Sequence, residues 1–330
     1  MRRREFISLL GAAAVAWPRT ALAQQPDRMR RIAVLLRVAE GDPDAQHDLE
    51  AFRKGLRDLG WTAGSNLAIE YRYASADSDQ MRAYAAELVR RPAEVILAGG
   101  SLAVTALRQE TSTLPIVFVR VAGALSQGFV GNLAHPGGNV TGFTSYEYAM
   151  IGKWVELLKE VAPGLVQVAL MFNPETAPYG PGFLRSLETT APSFAVKAAG
   201  ALVHDPADIE GTMAALGQGG GGGLIVLPDA FTDVHREKIV TLAARQRVPA
   251  VYGYRYFTAA GGLMSYGADS DDIYRRAASY VDRILKGAKP AELPVQAPTK
   301  FQLIINLQAA KTLGLTIPES FLLRADEVIE

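Results

Sequence analysis

The stretch RIAVLL, residues 31–36, followed by DAQHDLEAFRKGLRDLGW, residues 44–61, decides the fold class. RIAVLL is a short apolar run typical of a buried strand, and Leu49, Phe52 and Leu56 recur at helical spacing in the second segment. The same alternation continues through LAIEYRYA (67–74), DQMRAYAAELVRR (79–91), AEVILAGG (93–100), LAVTALRQET (102–111) and LPIVFVR (114–120). Strands alternating with helices predict βαβ units, and therefore an α/β fold with a parallel sheet.

The alternation starts again near residue 145. A strand at Val140–Thr144 precedes a helix at Met150–Val161, and further strands follow at VQVALMFN (166–173), GLIVLP (223–228) and VPAVYGY (248–254). Two such series predict two doubly wound parallel-sheet lobes. The tail, from GGLMSYG (261–267) onward, adds more strands, which we expect to return to the first lobe across a three-strand hinge. The predicted lobes are residues 24–145 with 262–330, and residues 146–261.

The N-terminus resembles an export signal. Arginines at positions 2–4 precede an apolar stretch from Phe6 to Trp17, and Ala21-Leu22-Ala23 has small residues where a signal peptidase cleaves. The RREFI segment is similar to a twin-arginine signal. We therefore expect residues 1–23 to be removed and the mature protein to lie in the periplasm. The alternative is a basic amphipathic N-terminus on a cytoplasmic protein.

Composition and motifs exclude several function classes. The 34 Lys and Arg balance 34 Asp and Glu, so the chain lacks the basic character of a nucleic-acid binder. It has no cysteine and no GxSxG motif, and its four histidines are scattered without metal-ligand spacing. GQGGGG (217–222) fits GxGxxG but precedes a strand, whereas a dinucleotide site needs these glycines after one. We expect no cofactor, no metal and no enzymatic activity.

Ligands of open parallel sheets bind beyond the carboxyl ends of the strands. The candidate ligand-binding residues at those ends are Arg37, Gly100, Ser101, Arg120, Asn173, Tyr179, Asp229, Phe231, Tyr252 and Tyr254.

These residue types suit a small carboxylate-bearing ligand with an apolar or aromatic body. Backbone N–H groups near Ser101 could hold a carboxylate, with Arg37 or Arg120 adding a charge-assisted bond. Asp229 could pair with an ammonium group, and the aromatic side chains could enclose the ligand's body. Structural roles stay open: Ser101 and Asp229 could each cap a helix, and the tyrosines from position 254 onward could pack between the lobes.

Several segments together resemble a known family. They are RRREFISLLG (2–11), NLAIEYRYA (66–74), AELVRRPAEVILAGGS (86–101), HPGGNVTGFTS (135–145), GGLMSYG (261–267) and PTKFQLIINLQAAKTLGLTIP (298–318). The chain is similar to the ABC-transporter substrate-binding family that includes tryptophan- and tyrosine-binding receptors. The resemblance covers nearly the whole chain.

The resemblance implies a type I periplasmic-binding fold that closes on a small ligand and docks on a membrane permease. The family's ligand loop corresponds to Gly99–Ser101, and its acidic loop in the second lobe to Pro228-Asp229. Many members carry Gly-Asp-Pro where this chain has Ala122-Gly123-Ala124, so the Asp of that motif is replaced by Gly123. A contact or a loop shape of the family is therefore in doubt here.

We interpret the chain as an exported, monomeric receptor of an ABC importer that delivers its ligand to an inner-membrane permease. Two other classes stay open from sequence. One is a ligand-sensing module of a membrane signalling protein, which would share the fold. The other is a periplasmic α/β enzyme, for which Asp229 and Tyr252 are the only candidate proton-transfer groups.

Overall fold

The computed structural model describes residues 29–330, which form two α/β lobes. The strands of the first lobe are β1 (Arg30–Leu36), β2 (Leu67–Tyr73), β3 (Val95–Gly99), β4 (Ile116–Val121) and β5 (Val140–Thr144). They are connected by α1 (Pro43–Asp58), α2 (Ser78–Arg90) and α3 (Ser101–Glu110). The sheet order is β2-β1-β3-β4-β5, and every neighbouring pair is parallel. The predicted βαβ series of this lobe is confirmed.

The second lobe begins after β5. Its first elements are α4 (Met150–Val161), β6 (Gln167–Phe172), α5 (Gly180–Thr190), a 3-10 helix (Ala191–Phe194), β7 (Lys197–Leu202), α6 (Pro206–Gln218) and β8 (Gly222–Val226). The elements that follow are α7 (Ala230–Val234), α8 (Arg236–Arg245), β9 (Ala250–Tyr252), α9 (Arg255–Ala259) and β10 (Met264–Ala268).

The C-terminal segment consists of α10 (Ser270–Leu285), a 3-10 helix (Pro290–Glu292), β11 (Phe301–Asn306), α11 (Leu307–Leu313), α12 (Glu319–Leu322) and β12 (Glu327–Ile329). With these strands, the second sheet has seven members in the order β12-β11-β10-β9-β8-β6-β7. Only β10 and β11 pair antiparallel among these described strands.

The placement of the tail strands corrects the sequence prediction. Residues 262–330 were expected in the first lobe, but β10 pairs with β9 in the second sheet and β11 pairs with β10. Only α10 and the segment around the 3-10 helix Pro290–Glu292 return, where they pack on α1, β4 and β5. The reason is that the edge of β9 accepts β10 as a further parallel neighbour, which periodicity along the chain does not reveal.

Three connections join the lobes, as predicted. The chain crosses after β5, between β10 and α10, and before β11. These connections are held together by hydrogen bonds from Thr144 N to Gln296 O and from Asp269 N to Lys300 O, each about 3 Å long. The lobes are therefore joined along one edge, and the carboxyl ends of both parallel sheets face the cleft between them.

Burial on both faces explains the apolar strands. In β1, Ile32 and Val34 pack in a core with α1 and α10, whereas Ala33 and Leu35 pack in another with α2 and α3. A strand that is covered on both faces has a continuous apolar sequence, as RIAVLL does. A third core fills the second lobe.

Within residues 29–330 no helix is both long enough and apolar enough to span a membrane. The predicted export signal, residues 1–23, lies outside the described residues.

Candidate functional site

The carboxyl ends of β1 and β3 bring Arg37 next to the beginning of α3. Gly100, the N-cap residue of α3, has φ +93°, and a Cβ at this position would lie 2.4 Å from Arg37 Nη1. Glycine is therefore required both by the backbone and by the neighbouring guanidinium. Ser101 is the first helical residue, and its Oγ accepts a hydrogen bond from Gln127 Nε2 at 2.9 Å. Ser101 thus holds a loop in place and does not cap the helix.

Arg37 reaches across the cleft to the second lobe. Its Nε and Nη2 donate to Oδ2 of Asp233, on α7, at 2.9 and 2.5 Å. The Arg37 side chain is 8% exposed and that of Asp233 is 2% exposed. Burial lowers the pKa of Arg37, but the charges of Asp233, Tyr256 and Tyr254 together hold that pKa above its ordinary value. Within residues 29–330 no hydrogen bond uses Nη1, which lies beside the α3 N-terminus.

Arg120 is a second buried arginine at the end of β4. Its φ of +56° is unusual for a residue other than glycine, and such strained backbone is often found at functional sites. Nη1 donates to Asp48 Oδ2 at 3.1 Å and Nη2 donates to Tyr256 Oη at 2.7 Å. The guanidinium also lies 4.0 Å from the ring centroid of Tyr254. Its Nε is buried without a partner among the described residues.

Tyr256 links the two arginines into one network. Its hydroxyl accepts from Arg120 and donates to Asp233 Oδ1 at 2.5 Å. We call Arg37, Asp48, Arg120, Asp233 and Tyr256 the interlobe network, because its first three members lie in the first lobe and the other two in the second. Burial raises the pKa of Asp48 to about 6, although the charge of Arg120 acts in the opposite direction. The lobes thus meet through buried charged groups, which hydrogen bonds satisfy almost completely.

Asp229 and Asn173 have structural roles in the second lobe. Asp229 is the N-cap of α7: it accepts hydrogen bonds from Thr232 N, Asn173 N and Thr176 Oγ1 at 2.9–3.1 Å. Asn173 Oδ1 in turn accepts from the backbone of the turn that follows it. Burial raises the pKa of Asp229 to about 6. Of the two interpretations open from sequence, the structure favours the helix cap over a partner for an ammonium group.

Aromatic side chains form the second-lobe wall of the cleft. The hydroxyls of Tyr146 and Tyr179 both donate to Pro228 O, at 2.9 and 2.8 Å, and the rings pack edge-on against Phe183. Tyr254 lies 6.3 Å from Tyr146 between ring centroids. Burial raises the pKa of Tyr146 and of Tyr179, while the Arg37 charge acts against the rise at both. Tyr146, Tyr179 and Tyr254, which we call the tyrosine wall, therefore lie near that guanidinium.

Two of the predicted site residues do not lie in the cleft. Tyr252 is buried in the core of the second lobe, stacked on Phe257 with 4.8 Å between ring centroids. Tyr252 and Tyr254 were predicted together, but the chain bends at Gly253, and only Tyr254 contacts Arg120. Phe231 is half-buried, packs on the second-lobe core and lies 4.5 Å from His235 between ring centroids. It lies two residues before Asp233, and that separation places the two side chains on different faces of the helix.

Sequence reasoning missed Asp233, Asp48 and Tyr146. Asp233 lies one helical turn after the cap Asp229, on a helix of only five residues, which is too short for periodicity to indicate. Asp48 lies on α1 among polar residues, and their pattern predicts a face exposed to solvent. Tyr146 follows the connection between the lobes, where periodicity gives no indication of which side chain points inward.

A cavity of about 580 Å³ opens at the mouth of the cleft, a volume typical of small-molecule sites. The second lobe contributes Tyr148 and Tyr179, and the first contributes Gln127, Phe129 and Ser126. Because Gln127 also binds Ser101, the cavity adjoins the beginning of α3. We call it the mouth cavity.

The other sequence motifs have structural roles. The GQGGGG run leads from the end of α6 into β8, so it precedes a strand as the sequence indicates. Gly123 has φ +54°, and a Cβ on it would lie 2.5 Å from Ser126 Oγ, so the aspartate that the resemblance implies there would require Ser126 or the loop to move. In the part of the chain that the structure describes, no three His, Asp or Glu side chains are placed to bind a metal ion.

Comparison with known proteins gives consistent matches over this whole architecture. The model of the family "ABC transporter substrate binding protein" matches residues 31–329. A tyrosine-binding protein of Clostridioides difficile is 23% identical over 275 residues, which is 83% of this chain and 78% of the relative.

Solved structures show the same fold. A conserved domain protein of Vibrio cholerae has a TM-score of 0.84 at 27% identity, covering 91% of this chain and 100% of the other. A Streptococcus pneumoniae ABC domain in complex with L-Trp has a TM-score of 0.82 at 23% identity, covering 91% of this chain and 99% of the other.

Proposed function

The chain belongs to the family of ABC transporter substrate-binding proteins, and we propose that it binds a small, aromatic, carboxylate-bearing ligand between its two lobes. Proteins of this family bind small ligands and deliver them to ABC permeases; they are not enzymes. We further propose that the protein is exported to the periplasm and delivers its ligand, as a monomer, to an inner-membrane permease.

The observation that carries the proposal is the position of Arg37 Nη1. This donor lies beside Gly100, where the first backbone N–H groups of α3 have no partner within the helix. A carboxylate placed there would receive hydrogen bonds from a buried guanidinium and from a helix N-terminus, both of which favour a negative charge. Asp233 holds the guanidinium in this orientation without using Nη1.

The tyrosine wall and the mouth cavity support an aromatic ligand body. Edge-to-face contacts already link Tyr146 and Tyr179 through Phe183, and a ligand ring could join this arrangement. The Clostridioides difficile relative is named for tyrosine, and the Streptococcus pneumoniae structure contains L-Trp. Both ligands combine a carboxylate with an aromatic ring, as the two parts of this site would require.

The interlobe network couples ligand binding to closure of the two lobes. A ligand can shift an open–closed equilibrium only by its differential affinity for the two states. Asp233 of the second lobe holds Arg37 in the position that would receive the carboxylate, so a carboxylate held by Arg37 would bind the closed state better. Closure over the ligand would then create the surface that a permease recognises.

A thermal-shift screen of the purified protein tests the proposal. The panel contains L-tyrosine, L-tryptophan, 3-phenylpropanoate, branched-chain amino acids and nucleosides. A ligand at a hundred times its Kd adds about 2.7 kcal/mol to stability, which raises the Tm by several degrees. We expect shifts with the aromatic carboxylates. Shifts with nucleosides alone, or with no member of the panel, would contradict the proposed ligand class.

A further inference from the structure

A second cavity lies between the lobes on the hinge side, away from Arg37. Its volume is about 520 Å³. The first lobe contributes the start of α1 and the start of α10, and the second lobe contributes β10, β11, β12 and the loop before α9. We call it the hinge cavity. Since both lobes form it, a molecule bound in it would contact both at once.

The walls of the hinge cavity carry an excess of carboxylates. Five acidic residues line it: Asp44, Asp48, Asp269, Asp271 and Glu327. Arg255 binds Glu327 with two hydrogen bonds of 2.8 and 2.6 Å, His47 contacts Asp271 at 2.9 Å, and Asp48 binds Arg120.

Asp44 and Asp269 are the carboxylates least engaged by cations. The nearest cation to Asp44 is Arg236, with 3.9 Å between Nη2 and Oδ2. Asp269 uses Oδ1 to cap α10. Burial, followed by the charge of Asp42, raises the pKa of Asp44, so a cation at this position would be favourable.

Ser265 is an independent indication of a ligand. It lines the hinge cavity from β10, where it is 1% exposed, and its Oγ has no hydrogen-bond partner among residues 29–330. A buried hydroxyl without a partner destabilises a protein, and native structures rarely contain one without a reason. Met264 and Tyr266, its neighbours along β10, point to the opposite face and pack in the core.

We infer that the hinge cavity is a second binding site, which takes a small organic cation such as a diamine. Ammonium groups would pair with Asp44 and Asp269 on the first-lobe wall, and Ser265 Oγ would bind the same molecule from the second lobe. A metal ion fits less well, because no three acidic or histidine side chains converge on one point within the described residues. A diamine matches carboxylates that are spread around a cavity of this volume.

The hinge cavity is separate from the proposed carboxylate site. Asp48, Tyr254 and Tyr256 line it on one side and contact Arg120 on the other, so the interlobe network and Tyr254 of the tyrosine wall stand between the two sites. The two ligands also have opposite charges. The inference therefore does not depend on the proposed function, although a cation bound to both lobes would favour the closed state as well.

Calorimetric titration with putrescine, a diamine, tests the inference on protein without any carboxylate ligand. We expect Asp44→Asn to weaken putrescine binding about tenfold, since it removes a partly buried charge that faces the ligand. Ser265→Ala should weaken binding about threefold, because only one hydrogen bond is lost. Removing the unpartnered hydroxyl should not destabilise the fold, which urea unfolding would verify.

The matched control is Asp79→Asn. Asp79 occupies the same position in the first turn of α2, after an aspartate N-cap, as Asp44 does in α1, but it lies outside the cavity. Both variants lose the same favourable interaction with a helix N-terminus, so only Asp44→Asn should change putrescine affinity. The inference is overturned if the wild-type protein does not bind putrescine or if the two variants bind it equally. Magnesium binding with the same dependence on Asp44 would also overturn it.

Discussion

The Arg37 guanidinium and the Asp233 carboxylate lie 196 positions apart in the chain and form a buried ion pair between the two lobes. Each is the other's main charged partner, and each becomes hydrated if the lobes separate. The pair therefore ties closure of the cleft to the orientation of the arginine that we propose as the carboxylate receptor.

Asp233→Asn should shift the unliganded protein toward an open form. Breaking a buried pair by removing one partner costs about 3–5 kcal/mol when the remaining charge stays buried, and opening relieves this cost by hydrating Arg37. The expected result is a larger radius of gyration in small-angle X-ray scattering. Asp58→Asn is the control, since it removes an exposed carboxylate that pairs within α1. An unchanged radius in Asp233→Asn would show that the ion pair does not hold the lobes together.

Gly100→Ala should abolish ligand binding through Arg37. The added Cβ would lie 2.4 Å from Nη1 and displace the guanidinium from the α3 N-terminus. Gly60→Ala separates this effect from backbone strain: Gly60 has φ +92°, against +93° at Gly100, and a Cβ added to Gly60 would meet no atom within 4 Å. Gly60→Ala should lose about 1–2 kcal/mol of stability. Gly100→Ala should lose more, because its Cβ also displaces Arg37 from its buried pair with Asp233. Equal ligand affinities, measured by calorimetry, would contradict the role of Gly100.

Tyr256→Phe should destabilise the protein by about 1–3 kcal/mol, because Arg120 and Asp233 each lose a buried hydrogen-bond partner. Tyr252→Phe is a matched variant, since the Tyr252 hydroxyl is buried without a partner among the described residues. Its removal should be neutral or slightly stabilising. Urea unfolding of both variants measures the difference. A larger loss of unfolding free energy in Tyr252→Phe than in Tyr256→Phe would contradict the roles assigned to the two hydroxyls.

Asp229→Asn should make stability depend less on pH between pH 4 and pH 6. Burial raises the folded-state pKa of Asp229 from 3.8 to about 6, so the folded state binds this proton more tightly than the unfolded chain does. The resulting stabilisation is complete below about pH 3.8 and is lost as the pH rises to about 6, a change of about 3 kcal/mol. Asp48 acts in the same direction and is unchanged in the variant.

Urea unfolding at pH 4, 5, 6 and 7 tests this dependence. Asp205→Asn is the control, because Asp205 caps α6 in the same way but is exposed and suffers no burial cost. It should keep the wild-type slope. A slope in Asp229→Asn equal to that of Asp205→Asn would contradict the effect of burial.

The strands and helices could be predicted because they follow from local periodicity in the sequence. Apolar runs such as Ile32–Leu36 are buried on both faces, and helices such as Met150–Val161 have the predicted bounds. The sheet that β10 joins could not be predicted, because a strand's neighbour depends on which edge is open in three dimensions.

The site was predicted in part for a similar reason. Arg37 and Gly100 follow strands directly and Arg120 lies at the end of one, so the rule for parallel sheets places them at the cleft. Tyr252 also ends a strand but points into the core, and Asp233 lies a helical turn beyond its strand. A rule about strand ends identifies the edge of the sheet, whereas the direction of each side chain depends on the turn that follows.

The most direct test of the account is the affinity of a double variant, Arg37→Met with Asp233→Leu, for an aromatic carboxylate. Replacing both partners of a buried pair by apolar residues of similar volume is often neutral for stability, so the lobes should still pack. Calorimetry would use whichever of L-tyrosine, L-tryptophan and 3-phenylpropanoate binds the wild-type protein best. The control, Arg30→Met with Glu94→Leu, removes a partly exposed pair of the first lobe. We predict that the Arg37 double variant stays folded, with a Tm lowered only by the loss of the Tyr256–Asp233 hydrogen bond, and loses at least about tenfold in affinity while the control binds normally. Wild-type affinity in the Arg37 double variant would contradict carboxylate recognition by Arg37.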